Sequence, residues 1–230
     1  SILIVDTGGP PKPPLAGQAH AAPAAFELSV DGYRLVVNCG KPPSHRPEMR
    51  PFSRVTSAHS TLICDDSSIG HFTRTKLMSA LVGEQYSGGA KVVTMARSES
   101  REGTLIAVEH DGYRNSHGLL HERKLALSAD GTTLEGDDTL KAQGKAKPGS
   151  YMLRFHLHPL VKASLGSDGL TVRMIIPGGS QWLFDAAGLP VTLEESVFFA
   201  SPEGLRRTDQ IVVAADMAER ASILWAFRMV

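Results

Sequence analysis

Nine histidines in a chain of 230 residues carry most of the chemistry this sequence can offer. Arg154, His156 and His158 alternate with Leu153, Phe155 and Leu157. In a strand the first three share one face, because successive side chains point to opposite sides. A guanidinium and two imidazoles in a row suit an acidic ligand or a metal. The same row also suits the polar outer face of an antiparallel sheet, closed by Pro159. His110-Asp111-Gly112-Tyr113 and His121-Glu122-Arg123 bracket a short turn. Together they offer groups for acid/base work, or for holding sugar hydroxyls and a carboxylate. As plain structure they are a tight turn with local hydrogen bonds. His59 precedes the apolar run Leu62-Ile63-Cys64, and His20 precedes a run that begins at Phe26. Two imidazoles at strand starts can meet across a sheet as metal ligands, although two alone define no site.

The common catalytic signatures are missing. The sequence holds no phosphate-binding Walker loop, dinucleotide glycine fingerprint, G-x-S-x-G elbow, H-E-x-x-H or C-x-x-C. Lysine plus arginine equals aspartate plus glutamate at 24 each, so no global basic field is available for nucleic acid. The longest apolar run near the C-terminus, 223–227, is far too short to span a bilayer. Cys39 and Cys64 do not make a disulfide scaffold and fit a reducing compartment or a cysteine-poor periplasmic protein. No basic-then-apolar leader opens the chain, and Ser1-Ile2-Leu3-Ile4-Val5 already reads as a strand. This start suggests part of a longer protein.

The elements that must position these residues are strands. A hydrophobic content of 42% against 21% charged is enough for a sizeable core. Phe26, Leu28 and Val30 share one face; so do Val172, Met174 and Ile176, and Ile223, Trp225, Phe227 and Met229. Asp-Gly pairs at 31–32, 111–112, 130–131 and 168–169 are hairpin signals, since both residues tolerate positive φ. Helical patterning is confined to 74–82 and 214–221, while 8–25 and 40–57 read as irregular. The expected fold is all-β: a large antiparallel β-sandwich of two stacked sheets, roughly 12 to 14 strands, with under about 15% helix. A single domain over 1–230 fits, because no polar linker interrupts the strands.

An ordered series of stretches resembles the C-terminal β-sandwich of heparinase II/III-like proteins. It comprises His20 with Phe26-Glu27-Leu28-Ser29, Leu35-Val36-Val37-Asn38-Cys39-Gly40 and Ala58-His59-Ser60-Thr61-Leu62. It continues through His110-Asp111-Gly112-Tyr113, Gly118-Leu119-Leu120-His121-Glu122-Arg123 and Leu134-Glu135-Gly136-Asp137-Asp138. Leu153-Arg154-Phe155-His156-Leu157-His158-Pro159 and Leu193-Glu194-Glu195-Ser196-Val197 complete it.

The resemblance implies a bacterial polysaccharide lyase in which an N-terminal (α/α) toroid joins this sandwich. Such enzymes act on uronic-acid-containing polysaccharide by β-elimination: a base takes the C5 proton, an acid assists the leaving sugar, and a neighbouring group neutralises the carboxylate. The resemblance makes an acidic polysaccharide and the chain's own toroid the expected partners, and the periplasm the expected location, with the cytoplasm left open. Candidate catalytic residues are Gln18, His59, His110 and Tyr113. Candidate substrate contacts are Arg154, His156, His158 and His121. The family's H-x-H-x-D stretch reads here Gln18-Ala19-His20-Ala21-Ala22, so Gln18 stands where a charge-neutralising histidine is usual. The implied structural zinc set is His20, Asn38 and His59, with Asn38 in place of an aspartate. His20 and His59 should then meet within a few ångströms beside Asn38. Negative charge for zinc must come from Asp65, Asp66 or Cys39, and strand alternation turns Cys39 away from Asn38. The alternative function is a carbohydrate-binding or structural sandwich that has lost lyase residues. On either reading, the 230 residues alone should show no lyase turnover.

Overall fold

The computed structural model describes residues 1–11, 15–72, 86–91, 93–147 and 149–230. Two large antiparallel sheets carry the chain. The seven-stranded sheet contains β1 (Ile2–Val5), β2 (Phe26–Val30), β3 (Tyr33–Val37), β4 (Leu62–Cys64), β11 (Ser150–Leu157), β15 (Thr192–Phe198) and β16 (Arg206–Asp216). Its order is β1-β2-β3-β11-β16-β15, with β4 also pairing β11. The eight-stranded sheet contains β7 (Val93–Glu99), β8 (Gly103–His110), β9 (Leu119–Ser128), β10 (Thr133–Ala142), β12 (Lys162–Leu165), β13 (Thr171–Ile175), β14 (Gln181–Asp185) and β17 (Ser222–Met229). It runs β12-β13-β14-β17-β10-β9-β8-β7. The short strands β5 (Gly70–Phe72) and β6 (Tyr86–Gly88) form a separate ribbon.

The sandwich is therefore as expected, but the described residues hold more strands than the 12 to 14 read from the sequence. The excess comes from pieces of three or four residues, such as β4, β5, β6 and β12, too short to show alternation. Helix among the described residues is limited to single turns, including α1 (Arg50–Ser53) and α2 (Arg114–His117). The helix expected over 74–82 lies outside the described residues. The helix expected over 214–221 does not form. Ala214, Ala215 and Asp216 instead continue β16, opposite Met152, Tyr151 and Ser150. Pairing with β11 outweighs the weak helical preference of two alanines.

The core lies between the sheets. Phe26 and Phe155 from the seven-stranded sheet meet Trp225, Phe184 and Phe227 from the other. The Phe26 and Trp225 rings stack at 5.6 Å, and Phe155 sits edge-on to Trp225 at 4.8 Å. Gly136 lies opposite Trp225, where any Cβ would come within 2.1 Å of the indole. Three of the four Asp-Gly pairs close hairpins as expected: β2–β3, β9–β10 and β12–β13. At 31–32 both residues have positive φ, the signature of a tight two-residue hairpin. The pair at 111–112 instead leads into α2, so the chain takes one helical turn between β8 and β9.

Candidate functional site

Three clusters gather six of the nine histidines. The first is built by connections on the seven-stranded sheet. Asn38 follows β3, His59 follows the single turn Thr56–Ala58, and His20 follows the turn Leu15–Gln18. His20 Nδ1 lies 3.0 Å from His59 Nε2. His59 Nδ1–H donates to Val55 O at 2.8 Å, which fixes its tautomer and leaves Nε2 to accept. Burial, reinforced by Arg54, lowers the His20 pKa to about 4. Burial and His20 itself lower that of His59 to about 3, so both rings are neutral at pH 7. Arg50 and Arg54 donate to the carbonyls of Gly17 and Ala19, holding the segment that carries Gln18 and His20. Gln18 is exposed.

Asn38 is beside this pair but turned to other work. Its Oδ1 accepts from the Ser60 N–H at 2.9 Å, and its Nδ2 donates to Glu27 Oε1 at 3.1 Å. Asp65 accepts from Ser150 and lies 3.1 Å from His117, Asp66 faces Arg154, and Cys39 packs near His156. The three groups expected to lend negative charge are thus engaged elsewhere. Among the described residues no three His, Cys, Asp or Glu side chains converge on one point. With Asn38 committed to Glu27 and Ser60, the His20, Asn38 and His59 set offers two imidazoles where a structural zinc takes about four ligands, so it does not fit the ion.

The second cluster is sealed in the core. The β8–β9–β10 register places His110 opposite His121, and Arg123 opposite Asp138. The Gly112 N–H donates to His110 Nδ1. His110 Nε2–H then donates to His121 Nδ1 at 2.9 Å, and His121 Nε2–H to Asp138 Oδ1 at 2.6 Å. Arg123 grips both Asp138 oxygens at 2.7 and 3.0 Å, and Trp225 Nε1–H donates to Oδ2 at 2.7 Å. Arg123 Nη1 reaches across to Ala24 O and Ser60 O, tying this sheet to the loops of the first cluster. Burial alone would raise the Asp138 pKa, but Arg123 and His121 outweigh it and hold the carboxylate ionised. Burial lowers both histidines, so they donate as neutral rings. Tyr113 is buried beside them with its hydroxyl donated to Leu62 O at 2.7 Å, and burial pushes its pKa well up.

The third cluster is the strand row. Arg154 and His156 lie on β11, and His158 follows it, but they do not act as one face. Arg154 pairs with Asp66 and Glu194. His156 is buried under the 40–58 connection, donating to Ser57 O and accepting from Ser196 Oγ at 2.8 Å. His158 stands at the sheet's end against Phe198.

His20 differs from its neighbours in being half-buried and facing a cleft of about 180 Å³ that Asp6, Tyr86 and Pro23 also line. Asp6 and Tyr86 were not anticipated from the sequence, because nothing in their spacing connects them to His20. The Arg123–Asp138–Trp225 triad was also missed as a unit. Arg123 and Asp138 each fall on the apolar, inward phase of adjacent strands, which marks each as buried but does not pair them.

The chain matches the heparinase II/III-like C-terminal family over residues 1–226. It belongs to that family. A heparan sulfate lyase, HepC, of Pedobacter heparinus superposes with a TM-score of 0.73 at 12% identity, covering 99% of this chain and 32% of that one. A heparinase III gene product gives 0.71 at 15% identity, with the same two coverages. At these identities the likeness is one of fold. A curated relative, FtsZ-localized protein C of Caulobacter vibrioides, is 32% identical over 234 residues. The alignment covers 97% of this chain, and the chain spans 40% of the length of that relative. In this heparinase II/III-like sandwich, His59, His110, His121, His156 and Tyr113 all make hydrogen bonds within the fold. No helix among the described residues is long and apolar enough to cross a membrane.

Proposed function

We propose that this chain is the non-catalytic sandwich of a longer heparinase II/III-like protein, serving placement and recognition rather than β-elimination. The carrying observation is how its polar residues are used. His59, His110, His121, His156 and Tyr113 are buried and committed to hydrogen bonds within the fold. Gln18 and Asn38 stand where the family resemblance implies a histidine and an aspartate. β-Elimination needs a base, an acid and a carboxylate neutraliser together, and such units fail together. The relative named for localisation with FtsZ supports a role in positioning the whole protein. In this reading Cys39 and Cys64, both free and buried, stay reduced in the cytoplasm.

A second reading keeps lyase activity on acidic polysaccharide in the full-length protein, with a toroid as partner and the periplasm as location. The observation favouring it is the half-exposed His20, which faces a cleft beside Asp6 and Tyr86. The deciding experiment incubates the full-length protein with uronic-acid polysaccharides and follows absorbance of the unsaturated product. No product is expected. Sustained production, lost in His20→Ala, would establish the second reading.

A further inference from the structure

At one end of the seven-stranded sheet, away from the His20 cleft, lies a cleft of about 160 Å³. Arg34 from β3, His158 beyond β11, Phe198 ending β15 and Arg206 opening β16 line it, with Glu203 on the connecting turn. Phe198 and Arg206 are register partners. The Arg34 guanidinium lies 5.4 Å from the Phe198 ring centre, and the His158 ring stands edge-on to Phe198 at 5.3 Å. The Leu160 N–H donates to His158 Nδ1 at 3.3 Å, so the neutral ring carries its proton on Nε2.

The two arginines stand together without a carboxylate on either. Arg154, Arg207 and Arg228 each hold a carboxylate. Neither Arg34 nor Arg206 forms an ion pair among the described residues. Both nonetheless act on one imidazole: burial, then Arg34, then Arg206 push His158 down to about 4. Two guanidiniums without carboxylates, an N–H donor and an aromatic face therefore converge on one cleft.

We propose that this cleft is an oxyanion-binding site, in which Arg34, Arg206 and His158 Nε2–H hold one singly charged group whose flat carrier lies against Phe198. Guanidiniums suit carboxylate, sulfate and phosphate alike, and their planar forks give the contact direction. The Glu203 carboxylate on the rim disfavours multiply charged ions, so a carboxylate on a planar group is the preferred form. The site shares no lining residue with the His20 cleft and stands whether or not the full-length protein is a lyase.

The test titrates the His158 imidazole of the chain by NMR at constant ionic strength, with benzoate, acetate, inorganic phosphate or neutral benzamide. A bound anion offsets the field of both arginines, so the His158 pKa should rise saturably with benzoate and acetate, more tightly with benzoate. Arg34→Gln and Arg206→Gln, both at exposed positions, should each weaken benzoate about tenfold, the scale of one charged hydrogen bond. Glu203→Gln should tighten it. Tighter binding of phosphate than benzoate would overturn the preference for a singly charged group on a flat carrier. A flat titration with every anion, or an unchanged response in the double arginine variant, would overturn the site itself.

Discussion

The cluster around Asp138 and the cluster around His20 each pair two imidazoles beside arginine and behave differently, because only one has a carboxylate at its centre. Around Asp138, one ionised oxygen pair takes four donated bonds from His121, Arg123 and Trp225. Charge, hydrogen bonding and burial agree there, and the result is a polar pin between two sheets. Around His20, the corresponding place is taken by Asn38, whose amide is spent on Glu27 and Ser60. Two neutral imidazoles are left to bond each other. The difference teaches that a buried histidine in this fold is a scaffold part wherever an anion or carbonyl fixes its proton. The protein puts a carboxylate directly on the core histidines, while at the opening Glu27 is spent on Asn38 and the His20–His59 pair bonds to itself.

Removing that anion should have the largest effect. Asp138→Asn leaves Arg123 charged, buried and without its partner, a change that costs about 3–5 kcal/mol. Urea unfolding should show the loss as a lower midpoint with an unchanged slope. Trp225→Phe keeps the ring against Phe26 and Phe155 but removes one donor to Asp138 Oδ2, and should cost about 1–3 kcal/mol. If Asp138→Asn proves no worse than a surface substitution, the comparison collapses.

The reverse experiment adds an anion at the opening. Asn38→Asp puts a second carboxylate beside Glu27, breaks the Nδ2 bond, and should lose about 1–2 kcal/mol without metal. It also completes two imidazoles and a carboxylate, so zinc should raise the variant's melting temperature while leaving the unsubstituted chain unmoved. Equal zinc stabilisation of both proteins would mean that Asn38 does not control the site.

The pH dependence separates the clusters further. His20 and His59 have folded pKa values lowered to about 4 and 3, below the ordinary value near 6.5. The unfolded chain therefore binds more protons between these limits. The stability held in their neutral forms is full above about pH 6.5 and drains as pH falls toward 4 and then 3. Asp138 has a lowered folded pKa, so its contribution persists until pH drops below the ordinary carboxylate value near 4. Replacing His59 by Gln should flatten the stability slope between pH 6.5 and 5 by close to one proton and leave the steeper loss below pH 4 in place.

Much of this was legible in the residues. Period-two runs and Asp-Gly turns carry the sandwich, since alternation and positive φ are local properties. The meeting of His20 and His59 is non-local: their placement at strand starts allowed it, and the family resemblance singled it out among the possible pairings. The burial of His110, His121 and Tyr113 was not legible. A polar residue on the inward phase looks alike whether it lines an opening or plugs a core, until the partner strand is known. Arg123 and Asp138 illustrate this: 15 residues apart, they become a pair only through the β9–β10 register. The strand row failed for a related reason. Arg154, His156 and His158 do alternate, but the 40–58 connection covers the middle of the row and the sheet ends before its last member.

The smallest expected effect belongs to Gln18→His, which restores the family's usual residue at the opening. Gln18 is exposed and its side chain takes part in no hydrogen bond among the described residues, so stability should move by no more than about 0.5 kcal/mol. Activity should not appear either. A histidine there neutralises a substrate carboxylate only when protonated. Arg50 and Arg54 already crowd this segment with positive charge and depress the neighbouring His20. The new imidazole would share that field and stay largely neutral at pH 7. The full-length Gln18→His protein, assayed on uronic-acid polysaccharide, should therefore match the unsubstituted protein in producing no unsaturated sugar. If it gained turnover, the opening would be one residue from a working lyase site, and its difference from the core cluster would be a matter of charge at position 18 rather than of the anion missing at Asn38.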